Sequence, residues 1–252
     1  MRTITFIGNG TMALSIAKGL KGKYHIELVG RNMKNLDTFE TQLGTKINKY
    51  LLKDFDMTGK TILLCVKPGN VEEVAKLVQG KADLLISVLA GVSTKILKKY
   101  FKPKTVVRSM PNLAASTGKS MTTLTGDAKA KEDGIVILNA IGRTLWLESE
   151  KELDVATALA GSGPAYLALI AEALVDGAVK QGLKREDAMA TMRGLFNGFA
   201  SLIQNVHPAT LKDDVMSPGG TTASGYGALE EGNVRASCMN AIEKAYKKAL
   251  EL

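Results

Sequence analysis

The chain has 252 residues, enough for one large domain or two modest ones and for a sizeable buried core. Hydrophobic residues at 45% and charged residues at 23% match a globular composition, which argues against a disordered tail protein and a membrane bundle. The net charge is +8, yet residues 1–150 hold 23 Lys/Arg against 13 Asp/Glu while the remainder holds 10 against 12, so the basic excess sits in the first part.

The lysines of that part are scattered and are not interleaved with aromatics. They fit a small anionic ligand with several phosphates better than nucleic acid, which is not expected as a partner. Apolar runs such as Ile62 to Val66 and Leu167 to Ala171 are short core segments, so no membrane span is expected. The start, Thr3-Ile4-Thr5-Phe6-Ile7-Gly8, lacks the pattern of a secretory signal, and a cytoplasmic location is expected. Cys65 and Cys238 have no C-x-x-C spacing and read as reduced, packed thiols. His25 and His207 stand apart from any carboxylate cluster, so no metal site is expected.

Seven β-rich runs alternate with helical stretches: Ile4 to Ile7, His25 to Val29, Thr61 to Val66, Leu84 to Val88, Thr105 to Arg108, Ser120 to Leu124 and Thr144 to Leu147. The alternation predicts a parallel α/β sheet, covered on both faces where the runs are wholly apolar. The first run leads into Gly8-Asn9-Gly10-Thr11-Met12-Ala13 and a helical segment, a G-x-G-x-x-A turn in the strand-turn-helix context of the dinucleotide fingerprint. Gly8 permits the tight turn, Gly10 lets backbone approach a pyrophosphate, and Ala13 lets helix and strand pack closely.

The second run ends Val29-Gly30-Arg31-Asn32. Glu27 lies inside the strand rather than at its carboxyl end, and Arg31 with Asn32 suits a 2′-phosphate, so NADPH is expected, with NADH possible. The turns Lys67-Pro68-Gly69, Ala90-Gly91-Val92-Ser93 and Ser109-Met110-Pro111-Asn112 follow later strands and are expected on the nicotinamide side. Gly118-Lys119-Ser120, the Tyr100/Lys104 spacing and Ser162 resemble catalytic motifs but lack the context each needs.

After Glu150 alanine, leucine and methionine replace the β-branched clusters. This predicts a dinucleotide-binding domain over 1–149 and an all-helical domain over 150–252. Gly163-Pro164 reads as a helix start and Gln181-Gly182-Leu183 as its stop. Ala165 to Val179 between them is apolar on nearly every face, interrupted only by Glu172 and Asp176, which predicts an interleaved homodimer. Farther on, Ser217-Pro218-Gly219-Gly220-Thr221-Thr222 offers backbone N–H groups and hydroxyls. It reads either as a carboxylate nest or as a helix-connecting turn with Thr222 as cap.

Five segments together resemble the pyrroline-5-carboxylate reductase family: Gly8-Asn9-Gly10-Thr11-Met12, Val66-Lys67-Pro68, Arg108-Ser109-Met110-Pro111-Asn112, Gly161-Ser162-Gly163-Pro164-Ala165-Tyr166 and Ser217 to Thr222. The resemblance spans nearly the whole chain in order. It implies NAD(P)H-dependent reduction of pyrroline-5-carboxylate to L-proline, a Rossmann domain followed by an all-α dimerisation domain, and in some members decamers built of dimers. It further implies cofactor contacts from Gly8, Asn9, Gly10, Thr11, Met12, Arg31, Asn32, Val66, Lys67, Pro68, Pro111 and Asn112. Ser217, Gly219, Gly220, Thr221 and Thr222 would hold the substrate carboxylate, and the Thr222 hydroxyl would bond the ring nitrogen as the catalytic contact.

The chemistry agrees, because a cyclic imine is protonated by solvent before hydride arrives and needs no strong acid from the site. A hydroxyacid-type dehydrogenase using Lys180 as acid, or a non-catalytic NADPH sensor, are the competing readings.

Overall fold

The computed structural model describes residues 1–251. It begins with β1 (Thr3–Ile7), α1 (Thr11–Leu20), β2 (His25–Gly30), α2 (Met33–Leu43) and β3 (Asn48–Leu51). There follow β4 (Phe55–Asp56), β5 (Thr61–Leu64), α3 (Val71–Leu77), β6 (Val78–Gln79), β7 (Leu84–Ser87), α4 (Thr94–Phe101) and β8 (Thr105–Met110). The sheet is completed by β9 (Ser120–Gly126), α5 (Lys131–Asn139) and β10 (Gly142–Trp146). The remaining elements are helices: α6 (Glu150–Ala156), α7 (Gly163–Lys180), α8 (Arg185–Leu202), α9 (Pro208–Val215), α10 (Thr221–Glu231) and α11 (Val234–Leu250).

The eight-stranded sheet runs β10-β9-β8-β7-β5-β1-β2-β3, and β4 pairs with β6 in a separate two-stranded ladder. Strand order therefore reverses between β1 and β5, the switch point at which open α/β sheets bind ligands. The strands are buried on both faces because their side chains alternate between two cores. Phe6, Leu28, Leu63, Ile86 and Val107 enter one core. Their neighbours Ile7, Val29, Leu64, Leu85 and Val106 enter the other. The expected Rossmann architecture followed by an all-α region is observed.

The sheet is not wholly parallel, as the sequence had suggested. β9 runs antiparallel to β8, with Ser109 opposite Leu124, and β10 then runs parallel to β9. Residues 111–119 carry only a 3₁₀ turn over Leu113–Thr117, whereas a parallel return needs a crossover of a dozen or more residues. The strand β3 and the β4/β6 ladder were not expected from their patterning. β3 is a polar, largely exposed edge, and the ladder strands are two residues each.

Two compact units divide the chain: Met1–Pro164 with the segment from Lys244 onward, and Ala165–Glu243. α7 begins at Gly163 as expected, but Pro164 does not stand at a free helix end. Helix runs from Glu150 to Lys180, with a π-helical stretch at Thr157–Gly161 in which the Ser162 N–H reaches the Thr157 carbonyl at 3.2 Å. A proline inside an ordinary α-helix collides with the preceding turn and leaves its carbonyl without a donor, and the widened turn next to Pro164 absorbs that defect.

This run is long and apolar enough, by length and composition alone, to cross a bilayer, which the short apolar runs had not suggested. The stop is as expected: Gly182 has φ +101°, Leu183 N–H bonds Ala178 O and Gly182 N–H bonds Val179 O, a Schellman closure.

The second unit leaves its apolar side chains uncovered. Among its described residues only Val175 and Ala188 are buried hydrophobics, while Leu167, Leu174, Leu195, Phe199 and Leu202 are exposed and Leu169 is 67% exposed. Cys238, expected to be packed, is exposed on α11.

Candidate functional site

The turn after β1 is fixed by backbone. Gly8 N–H donates to Val29 O at 3.0 Å and Cys65 N–H donates to Ile7 O at 2.8 Å, so the turn lies between the ends of β2 and β5. Gly8 has φ +109°, and a Cβ there would stand 2.5 Å from the Cys65 carbonyl oxygen, so a side chain is excluded by both conformation and space. Gly10 is the N-cap of α1 and makes no side-chain cap bond. A Cβ on Gly10 would meet nothing within 4 Å. Open space therefore faces the uncapped first turn of a ten-residue helix, a cradle whose N–H groups and dipole suit a pyrophosphate.

A cleft of about 420 Å³ opens there. Of the residues expected to hold the cofactor, Gly8, Asn9, Gly10, Arg31, Val66 and Lys67 line it together. Its walls also include Leu52, Cys65, Asn70 and Val74, which sequence reasoning did not select. Asn70 and Val74 are one helical turn apart after Pro68, a spacing that could have marked them. Burial pushes the Cys65 thiol far above its ordinary range, so it stays a neutral wall residue rather than a nucleophile.

The other expected contacts lie outside the walls of this cleft. Thr11 begins α1, and Met12 packs on the hydrophobic core. The Asn32 side-chain oxygen caps α2 by accepting from Lys34 N–H at 2.9 Å and Asn35 N–H at 3.4 Å. Arg31, which does line the cleft, sets Nη1 3.2 Å from Glu73 Oε1. Pro68 opens the 3₁₀ turn that leads into α3. Glu27, placed inside the strand by the sequence reading, is buried away from the cleft and accepts from Thr5 Oγ1 at 2.7 Å and Lys60 Nζ at 2.9 Å. Burial alone would raise the Glu27 carboxyl, but the bonds from Lys60, Thr5 and Tyr50 outweigh it and hold the group below its ordinary value.

At the carboxyl end of β8, Asn112 uses its whole amide. Its Oδ1 accepts from Ala114 N–H at 3.0 Å, and its Nδ2 donates to Ala160 O at 3.0 Å. Ala160 is four residues before Pro164, which has no N–H to offer its carbonyl; the side chain of Asn112 supplies the donor instead. Four residues earlier on β8, Arg108, 2% exposed, sets Nη2 at 2.8 Å from Asp154 Oδ1 and Nη1 at 3.8 Å from Glu150 Oε2. Glu150 Oε1 in turn accepts from Thr94 N–H at 2.6 Å, in the first turn of α4. Helix α6 and the π turn are thus tied to the sheet at both ends.

In the second unit, Ser217-Pro218-Gly219-Gly220 forms a tight turn in which Gly220 N–H bonds Ser217 O at 3.0 Å and Gly219 adopts φ +69°. Proline followed by a left-handed glycine is the signature of a type II turn. A Cβ on Gly220 would overlap Ser217 Oγ, so serine and glycine are packed hand in glove. Gly220, not Thr222, is the N-cap of α10; it makes no side-chain cap bond, and Thr221 and Thr222 are exposed in the first turn. Ser217, Gly219, Gly220, Thr221 and Thr222 are therefore brought together around uncapped N–H groups.

The three decoys remain structural. Tyr100 OH donates to Glu72 Oε2 at 3.0 Å while Lys104 pairs with Asp83 at 2.7 Å, so they do not act as a couple. Ser120 Oγ accepts from Asn112 N–H at 3.1 Å. Ser162 closes the π turn through its N–H. Among the described residues, no group of three or more His, Cys, Asp or Glu could hold a metal ion.

A family model described as pyrroline-5-carboxylate reductase dimerisation matches residues 150–252. A second, described as NADP oxidoreductase, coenzyme F420-dependent, matches residues 3–91. A pyrroline-5-carboxylate reductase of Arabidopsis thaliana is 35% identical over 267 residues, covering 99% of this chain and 95% of the plant sequence. That of Thermus thermophilus is 33% identical, covering 99% of this chain and 98% of its own. Among solved structures, 1-pyrroline-5-carboxylate reductase from Streptococcus pyogenes superposes with TM-score 0.86 at 30% identity, over 99% of this chain and 98% of that one. Pyrroline carboxylate reductase from Plasmodium falciparum with NADP bound gives 0.82 at 26% identity, over the same shares.

Proposed function

This chain belongs to the pyrroline-5-carboxylate reductase family, and from that premise we propose that it reduces pyrroline-5-carboxylate to L-proline with NADPH, NADH serving as a weaker alternative. The carrying observation is a pair of uncapped helix N-termini, each entered through a glycine turn. The one after Gly8-Asn9-Gly10 opens onto a cleft with Arg31 and Lys67 in its walls. The other follows Ser217 to Gly220.

The first holds the dinucleotide. N–H groups at the start of α1, Thr11 and Met12 among them, face the pyrophosphate, Arg31 and Asn32 receive the 2′-phosphate, and Val66, Lys67 and Pro68 border the nicotinamide side. Pro111 and Asn112 contribute as backbone, since the Asn112 amide is already committed to Ala114 and Ala160. When bound, the cofactor supplies the hydride.

The second holds the substrate. The N–H groups of Gly219, Thr221 and Thr222 and the Ser217 hydroxyl bind the carboxylate, Gly220 shaping the turn through its own N–H on Ser217 O, and a carboxylate suits a helix N-terminus electrostatically. The Thr222 hydroxyl accepts a hydrogen bond from the protonated ring nitrogen and fixes the plane of the C=N bond. Solvent supplies the proton, so the work of these residues is to orient the electrophilic carbon, a contribution of several kcal/mol in favourable cases.

The exposed apolar faces of the second unit belong to a homodimer, for which the match to a dimerisation model is the support. The same reading assigns the apolar run through α7 to a subunit interface rather than to a bilayer, and Glu172 and Asp176 within it agree. The functional division then falls at 149/150, and the enzyme works in the cytoplasm. The test is NADPH oxidation with pyrroline-5-carboxylate beside a panel of 2-keto acids. Turnover of the imine alone is expected, whereas turnover of keto acids alone, or of nothing, overturns the reading.

A further inference from the structure

Arg31 is not free to meet a phosphate. Its Nη1 lies 3.2 Å from Glu73 Oε1, and the side chains are 60% and 55% exposed. Glu73 stands on α3 one turn beyond Asn70 and next to Val74, two residues that line the cleft, so it sits at the rim on the side where Arg31 enters. The neighbouring carboxylate, Glu72, is otherwise engaged, with Lys76 Nζ at 2.8 Å and Tyr100 OH at 3.0 Å. Glu73 is therefore the acid of that helix which faces Arg31.

We infer that Glu73 is a specificity-determining residue that holds down the preference for NADPH over NADH by competing with the 2′-phosphate for Arg31. The inference rests on the proposed role of Arg31. An exposed pair of this kind is weak enough to open. A guanidinium that takes a 2′-phosphate must leave or share Glu73, and the carboxylate then stays close to a dianion. NADH carries a neutral hydroxyl at that position and meets neither cost. Glu73 thus acts on one cofactor and spares the other.

The test is direct titration of NADPH and NADH by calorimetry on the folded protein, with kcat/KM ratios beside it, for wild type, Glu73→Gln, Arg31→Ala and the double variant. Glu73→Gln is expected to tighten NADPH about three- to tenfold, the range of an exposed charge pair with a repulsion of similar size, and to move NADH less than twofold. In the Arg31→Ala background the gain should shrink to about twofold, because only the repulsion is left. Equal tightening of both cofactors, no change, or an undiminished gain without Arg31 overturns the competition. Arg31→Ala alone keeps the two ideas apart. If it lowers NADPH preference while Glu73→Gln does nothing, only the role of Glu73 falls; if it leaves the ratio unchanged, the assignment of Arg31 falls and the competition with it.

Discussion

Replacing Asn112 with alanine removes two hydrogen bonds at once. Ala114 N–H loses its cap at the start of the 3₁₀ turn, worth about 1 kcal/mol for residues of this kind. Ala160 O loses this donor, and the ordinary α-helical donor four positions on is missing because that residue is Pro164. That carbonyl is only partly buried, so water limits the second loss to about 1–2 kcal/mol. The expected cost is then about 2–3 kcal/mol, read as a lower urea midpoint by circular dichroism at fixed protein concentration. Asn112→Asp separates the two bonds, since it keeps an acceptor for Ala114 but has no donor for Ala160. Hydrogen exchange should show Ala114 protected in the aspartate variant and unprotected in the alanine variant, with faster exchange over residues 157–163 in both. A wild-type midpoint together with unchanged exchange at the π turn would refute the clamp.

Thr222→Ala should lower kcat/KM by roughly ten- to a hundredfold, one hydrogen bond to a partly charged group, with unchanged NADPH affinity in a direct titration. Thr222→Ser should recover much of it, and wild-type activity of the alanine variant would return Thr222 to a purely structural role. Light scattering should find an active dimer or a multiple of dimers, and an active species at monomer mass would contradict the proposed interface. Glu27 carries a pH dependence. Its folded carboxyl lies below the ordinary value of 4.5, so its stabilisation is present above that pH and is lost as pH falls through the depressed folded value. The stability gap between wild type and Glu27→Gln, measured in urea, should therefore narrow below pH 4.5; a gap that is constant or widens on acidification refutes this.

Local signals carried the fold wherever geometry is set by neighbours in sequence. Phe6 and Ile7, or Leu28 and Val29, face opposite cores because adjacent strand residues must, and Gly8 announced the turn because no side chain fits there beside the Cys65 carbonyl. The direction of β9 depends on what residues 111–119 are too short to do, a property of spacing rather than of residue type. The π turn was hidden because Gly163-Pro164 has the composition of a helix start, and only the Asn112 amide, remote in sequence, shows how an interior proline is accommodated. For the candidate site, the glycines and Arg31 could be read from a motif. Leu52, Asn70 and Val74 come to the cleft through packing of the edge strand region and α3, and Glu73 meets Arg31 across forty-two positions of chain.

The reversal at β9 also decides where the N-terminal unit lets go of the chain. In a wholly parallel sheet the last strand would finish at the carboxyl edge, and the helix after it would carry the chain away from that edge. Here β10 points the opposite way, with Trp146 level with Leu124 and so with Ser109 on β8. The helix that follows must travel back, passing Arg108 at Asp154 and reaching Asn112 at Ala160. This segment of the first unit therefore ends, at Pro164, near the carboxyl end of β8. One antiparallel step thus reverses the direction in which the first unit hands on its chain, from the amino edge of the sheet to the carboxyl edge.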